Sequence, residues 1–175
     1  MGALSENLER HIRTIPDFPK PGIMFRDVTT LFKNGPALRH ALAMLEAHAA
    51  EMEIDVVVGI ESRGFILGGA LASRIGCGFV PARRPGRLPA KTVKENYKLE
   101  YGEGVLEIHE DAFKMGQRVL ITDDLLATGG TARAAVKLVE RLGARVVGLS
   151  FIIELDDLAG RKAIPGYEVY SLIHY

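Results

Sequence analysis

A chain of 175 residues, 47% hydrophobic and 25% charged, is sized for one globular domain with a sheet covered on both faces and leaves little room for a second. Its 22 basic and 22 acidic residues cancel, which removes any global field that would draw nucleic acid or an anionic membrane, so an anion site has to be local. The one cysteine, Cys77, excludes an internal disulfide and fits a reducing compartment; between Gly76 and Gly78 it reads as a small buried hydrophobe.

The N-terminus lacks the apolar core of a signal peptide, and no run approaches the roughly 20 apolar residues of a membrane span, so a cytoplasmic protein is expected. Leu4, Leu8, Ile12 and Ile15 recur at three- and four-residue steps and predict a short amphipathic helix stopping near Pro16. Asp17 to Asp27, D-F-P-K-P-G-I-M-F-R-D, is stiffened by two prolines and a glycine into an extended segment with free backbone polar groups. Those groups beside Met24 and Phe25 could read the edge of a flat heterocycle, although an aromatic after a turn is usually core. Pro36 to Glu51 is predicted helical, with Leu38, Leu42, Leu45 and Ala49 on one face.

Asp55 to Ile60, D-V-V-V-G-I, reads as a buried strand, and E-S-R-G-F follows where a parallel strand hands over to a helix. Arg63 then stands at the ligand-facing edge, as either a surface ion pair or an anion clamp. A small-residue helix over Leu67 to Ile75 and a strand over Gly78 to Ala82 come next. From Arg83 to Tyr97 the chain is basic and broken by Pro85, Gly86 and Pro89. Mutual repulsion of Arg83, Arg84, Arg87, Lys91 and Lys94 predicts a loop that is mobile when empty; composition leaves open an anion-closing lid or a solvated linker. Lys98 to Tyr101 is predicted to start a strand that continues as Val105 to Ile108.

Val119 to Thr131, V-L-I-T-D-D-L-L-A-T-G-G-T, is the most informative stretch. A β-branched run predicts a buried parallel strand ending at Asp123 and Asp124, and ligands of open α/β sheets bind at such carboxyl ends. Ala127, Thr128, Gly129, Gly130 and Thr131 then lead into a helix over Ala132 to Leu142 closed by Gly143. Glycines let backbone N–H groups converge on an anion, and the helix dipole and two hydroxyls add to it. Carboxylates would repel a phosphate, so the acid pair is expected to accept from neutral hydroxyls, as a ribose offers. Together they imply a ribose 5-phosphate. Neither the dinucleotide G-x-G-x-x-G nor the G-x-x-x-x-G-K-[ST] spacing occurs here. Arg145 to Leu155 predicts a long core strand, Asp156 to Ala163 a short helix or turn, and Tyr167 to Ile173 an edge strand. Strands alternating with helices make this a doubly wound α/β domain with a mainly parallel sheet.

The Val119 to Thr131 run resembles the phosphoribosyl pyrophosphate (PRPP) motif of type I phosphoribosyltransferases. Phe18 to Asp27 is similar to the F-P-x-P-G-[IV]-x-F-x-D block of the adenine phosphoribosyltransferases, as are the S-R pair at 62 and 63 and the L-E-Y-G block at 99 to 102. The resemblance spans Phe18 to the last strand. It implies a single domain with an N-terminal hood, mainly residues 1–34, a flexible loop over about 83–97, and the conversion of adenine and PRPP to AMP and pyrophosphate in purine salvage. It implies an adenine site at Met24, Phe25, Arg26 and Leu125, and pyrophosphate contacts at Ser62, Arg63, Arg83 and Arg87. Ribose contacts fall on Asp123 and Asp124, and phosphate contacts on Ala127 to Thr131. Glu100 becomes the acid–base group, with a structural ion pair as its alternative, and Tyr101 a loop-closure residue. Mg²⁺ is expected to bind mainly through the substrate, without dedicated protein ligands, since no histidine or cysteine pair forms a metal cage. A homodimer is also implied. Enzymes acting on 6-oxopurines or orotate lack the Phe18 to Asp27 block, and a PRPP-sensing regulator would need a DNA-binding segment and a basic face.

Overall fold

The computed structural model describes residues 8–98 and 103–175. The chain runs through strands β1 (Arg13–Ile15) and β2 (Phe25–Asp27), helices α1 (Thr29–Phe32) and α2 (Gly35–Ala49), strand β3 (Val56–Ile60), helix α3 (Arg63–Ile75) and strand β4 (Gly78–Ala82). Strands β5 (Thr92–Lys98), β6 (Glu103–His109) and β7 (Arg118–Leu126), helix α4 (Gly130–Arg141), and strands β8 (Arg145–Glu154) and β9 (Val169–His174) follow. The central sheet is parallel throughout, in the order β4-β3-β7-β8-β9.

Alternation along the buried strands builds two cores. Val58 and Ile121 face α4 and strands β5 and β6 through Leu138, Leu106 and Ile108. Val57 and Leu120 face α2 and α3 through Leu45, Leu67 and Leu71. Burying strands on both faces is why they read as continuous apolar runs. α2 starts where expected because Asn34 accepts the Ala37 N–H at 3.0 Å and Pro36 occupies the first turn. α4 ends on Gly143 at φ 81°, with the Ala144 N–H reaching back to the Val139 carbonyl.

Several expectations are corrected. The helix expected to reach Ile15 gives way: Arg13–Ile15 is a strand paired antiparallel to Phe25–Asp27, and Leu4 lies outside the described residues. Leu8 and Glu9 are helical, and Leu8, Ile12, Val28 and Leu31 pack on the α2/α3 core, so the apolar spacing marks a buried face that continues past the helix. The small-residue helix begins at Arg63, not Leu67. β7 does not stop at the acids; it pairs with β3 only through Thr122 but with β8 as far as Leu126. The predicted 83–97 loop is shorter, because Thr92–Lys98 is a strand. It pairs antiparallel with Glu103–His109, so these are two separate strands, and residues 99–102 lie outside the described residues. Cross-strand Lys94 and Glu107 neutralise the repulsion expected there.

Candidate active site

In this strand order the connection from β3 runs outward to β4 and that from its neighbour β7 runs the opposite way to β8, which opens a crevice beyond the carboxyl ends of β3 and β7. β3 delivers Glu61, Ser62 and Arg63 to it, and β7 delivers Asp123 and Asp124. α3 comes close enough for these to meet because its inner face is glycine. A Cβ on Gly64 would lie 3.0 Å from Asp123 Oδ1 and 3.2 Å from the Thr122 carbonyl oxygen. Ser62 has φ 59° and ψ −97°, a positive-φ conformation outside the left-handed helical well that a serine adopts only under constraint, and such strain clusters at functional sites.

Arg63 donates from Nε to Asp124 Oδ2, and 41% of its side chain is exposed against 7% for Asp124. Burial opposes the guanidinium charge, but the carboxylates of Asp124, Asp123 and Asp27 outweigh it and hold the Arg63 pKa above its ordinary value. Asp123 accepts the Asp124 N–H at 2.8 Å. Burial first, and the Asp124 charge second, push the Asp123 carboxyl well above the usual carboxylate range, with Arg63 offsetting only part. The pair is therefore unequal. Asp124 is neutralised by an arginine, while Asp123 carries an ionisation that hydroxyl donors from a ligand would stabilise.

Thr128, Gly129 and Gly130 turn the chain from β7 into α4. Gly129 has φ 79°, and a Cβ there would meet the Gly160 carbonyl oxygen at 2.3 Å, so only glycine fits. α4 has no side-chain cap and no acid in its first turn, leaving its N-terminal amides and positive dipole end for an anion. Arg63, Asp123, Asp124, Leu125, Phe151 and the residues from 126 to 132 line a cavity of about 240 Å³. Arg63, Asp123, Asp124 and Thr131 are shared with a neighbouring cavity of about 540 Å³ that also meets Ser62, Arg84 and Tyr97.

Of the residues proposed from sequence, the structure thus gathers Ser62, Arg63, Asp123, Asp124, Leu125 and Ala127 to Thr131 around one space. Arg83 turns away: it lies 3.6 Å from Glu61 and donates to the Arg87 carbonyl at 3.1 Å. Its neighbour Arg84 lines the cavity instead. Arg84 belonged to the same basic run, but which of two adjacent arginines faces inward depends on the Arg83–Glu107 bridge, which local sequence does not reveal. Tyr97 and Phe151 also escaped notice. Glu100 and Tyr101 lie outside the described residues.

The hood residues form a separate cluster. Phe25 packs edge-on against Phe18 with centroids 5.0 Å apart, Met24 is 53% exposed, and Arg26 lies 3.7 Å above the Tyr175 ring. Asp27 anchors them. It accepts from the Thr29 hydroxyl at 2.6 Å and N–H at 2.9 Å, and from Arg13 at 2.5 Å. The Thr29 hydroxyl foremost, then Arg13, hold its pKa down to about 2 against the cost of burial. The Asp27 carboxylate is one of the charges that raise the Arg63 pKa.

A parallel sheet with a phosphate-type turn after two acids at its switch point defines a class of nucleotide-forming sites. A family model for the phosphoribosyl transferase domain matches residues 27–173, and the chain belongs to that family. The adenine phosphoribosyltransferase of Koribacter versatilis is 53% identical over 174 residues, covering 99% of this chain and 96% of that protein. The crystal structure of the Thermoanaerobacter pseudethanolicus adenine phosphoribosyltransferase matches with a TM-score of 0.95 at 49% identity, over 98% of this chain and 99% of that one. That of the Saccharomyces cerevisiae enzyme, complexed with D-2,5-dideoxy-2,5-imino-altritol 1,6-bisphosphate and adenine, matches at 0.91 and 39% identity over 98% and 99%. Within the family, this chain stands among the adenine phosphoribosyltransferases.

Proposed function

We propose that the chain transfers the 5-phosphoribosyl group of PRPP to adenine, giving AMP and pyrophosphate, as a step of purine salvage. The observation that carries this is the junction of Asp123 and Asp124 with the uncapped turn at Ala127–Thr131, since one ligand must satisfy hydroxyl acceptors and an anion cradle together. The 5′-phosphate takes the turn, where backbone N–H groups and the Thr128 and Thr131 hydroxyls donate. Asp123 and Asp124 accept from the ribose hydroxyls. The C1–O bond to pyrophosphate breaks as the purine nitrogen bonds C1, so positive charge grows on the ribose and negative charge on the leaving group. Ser62, Arg63 and Arg84 meet that anion, and Arg83 and Arg87 join only if the segment rearranges on binding. Two carboxylates near the ribose also favour its developing charge.

The base sits under the hood, residues up to about 34, between Phe25 and Leu125, with Met24 and Arg26 at its edge. Glu100 exchanges the purine proton, and Tyr101 closes the loop. The oxygen-rich lining at Asp123 and Asp124 suits a hard cation, and Mg²⁺ carried by the pyrophosphate oxygens would neutralise the departing charge. Among the described residues the one compact group of potential ligands, Glu154, Asp156 and His174, lies outside this lining, and Glu154 is already taken by Arg161. Enclosure by hood and loop keeps water from the ribose.

A homodimer fits the outer face of α3 and edge strand β4, where Ile66 is 50% and Phe79 37% exposed and Phe65 packs edge-on against Phe79. Light scattering should give twice the mass of one chain, and a monomer for Ile66→Asp; a parent that runs as a monomer would refute the assembly. A cytoplasmic location completes this reading; among the described residues no helix is long and apolar enough to cross a membrane. Incubation with PRPP, Mg²⁺ and, in turn, adenine, hypoxanthine, guanine and orotate tests the activity. AMP should form and the other nucleotides should not; no product with adenine would overturn the reading.

A further inference from the structure

Glu107 lies in β6 with 2% of its surface exposed, and the transfer described above makes no use of it. It nevertheless grips the basic segment at both ends. Its backbone N–H and C=O exchange hydrogen bonds with Arg83 at 2.7 and 2.9 Å. Its Oε2 accepts the Gly86 N–H at 3.2 Å, and its Oε1 lies 2.8 Å from the Lys94 ammonium. Between these anchors, Arg84 and Pro85 line the cavity that also holds Arg63, Asp123 and Asp124. The Arg84 N–H is itself held by Glu61 Oε2 at 2.9 Å. A solvated linker has no need of a buried carboxylate, whose desolvation is costly unless every partner is in place. Gly86, at φ 73°, is the turn that this carboxylate fixes.

We propose that Glu107 is a positioning residue for pyrophosphate recognition: by holding Arg83, Gly86 and Lys94 it keeps the Arg84–Pro85 corner at the cavity before PRPP arrives. The inference rests on the phosphoribosyl transfer proposed above. Preorganised cations lose less on binding, and a displacement of about 1 Å can cost roughly 10²-fold in rate. The role concerns one substrate only, since adenine binds under the hood.

The test compares the parent with Glu107→Met/Lys94→Met, which removes the buried carboxylate together with its largely exposed ammonium partner and so leaves neither charge unpaired; replacing both members of an ion pair by apolar side chains of similar volume is often neutral or stabilising. Midpoints of thermal unfolding, KM for PRPP, KM for adenine and kcat are measured with Mg²⁺ present. The expected result is a melting point close to the parent's, a KM for PRPP raised roughly ten- to a hundredfold, and an unchanged KM for adenine. A folded double variant with a parental KM for PRPP, or with both KM values rising together, would overturn the proposal. Should the double variant not fold, Glu107→Gln decides. It keeps an oxygen for Gly86 but loses the negative charge that faces the Lys94 ammonium, so a few-fold rise confined to PRPP supports the role and no change refutes it. A parent that makes no AMP would instead remove the transfer reaction on which the role depends.

Discussion

Asp123→Asn should stabilise the empty protein while weakening PRPP binding. The Asp123 carboxylate is pressed against Gly64 and set beside Asp124, and burial and that neighbouring charge raise its pKa well above the usual range. A raised acid pKa means that the folded state resists ionisation, so the cost to stability is fully present above the folded pKa, fades as pH falls from there toward the unfolded value near 4, and is absent below it. Asparagine keeps the oxygen that accepts the Asp124 N–H and removes the charge. The gain should be about 0.5–2 kcal/mol, the usual yield of relieving a strained functional site, growing from acid to alkaline pH. For a chain of this size that is about 2–4 °C in Tm per kcal/mol. On the ligand side, a hydroxyl bonded to a carboxylate contributes about 1.5–3 kcal/mol against about 1 for a neutral acceptor. PRPP affinity should therefore fall by roughly two- to thirtyfold. Asp124→Asn is a poorer probe, because it strips Arg63 of its partner. Calorimetric titration of PRPP and melting curves between pH 5 and 9 on the same Asp123→Asn preparation check both halves. Lower stability at alkaline pH, or unchanged PRPP affinity, would refute the reasoning.

Gly129→Ala places a Cβ 2.3 Å from the Gly160 carbonyl at a left-handed φ. It should cost more than the roughly 1–2 kcal/mol of the backbone term alone and abolish AMP formation; near-parental melting with retained activity would show that the turn is not the phosphate cradle. Asp27, with its pKa lowered to about 2, contributes stability that is present above the unfolded value near 4 and lost as pH falls toward 2. Asp27→Asn should therefore flatten the acid limb of the stability curve, by about 1–2 kcal/mol once the exposure of Arg13 is allowed for; an unchanged acid limb by chemical denaturation between pH 2 and 5 would contradict this. Glu100→Gln should lower turnover by roughly 10²–10⁴-fold with little change in substrate affinity if Glu100 moves a proton. Turnover within a few-fold of the parent, read at saturating adenine and PRPP, would remove it from the catalytic group.

The parallel strands were legible because burial on both faces writes them as apolar runs, and Gly78–Ala82 falls on the residues expected. The acid pair and the turn at Ala127–Thr131 were legible because they are contiguous in sequence. Contacts made at a distance were not. Ile15 continues a helical spacing but pairs with Phe25 across ten residues of chain. Asp123 and Asp124 stay within β7 because β8 keeps bonding after β3 has stopped, a register that no local pattern carries. The basic segment reads as self-repelling until Glu61 and Glu107 arrive from elsewhere to pair with Arg83 and Lys94. Choosing Arg84 over Arg83 required that same tertiary knowledge.

A crystal structure of the AMP complex tests the central claim most directly, since all three parts of the ligand have assigned places. The account predicts the phosphate within hydrogen-bond distance of the backbone N–H groups of residues 128–131, both ribose hydroxyls on Asp123 and Asp124, and the purine between Phe25 and Leu125. A phosphate bound away from that turn, or ribose hydroxyls beyond reach of both carboxylates, would contradict it.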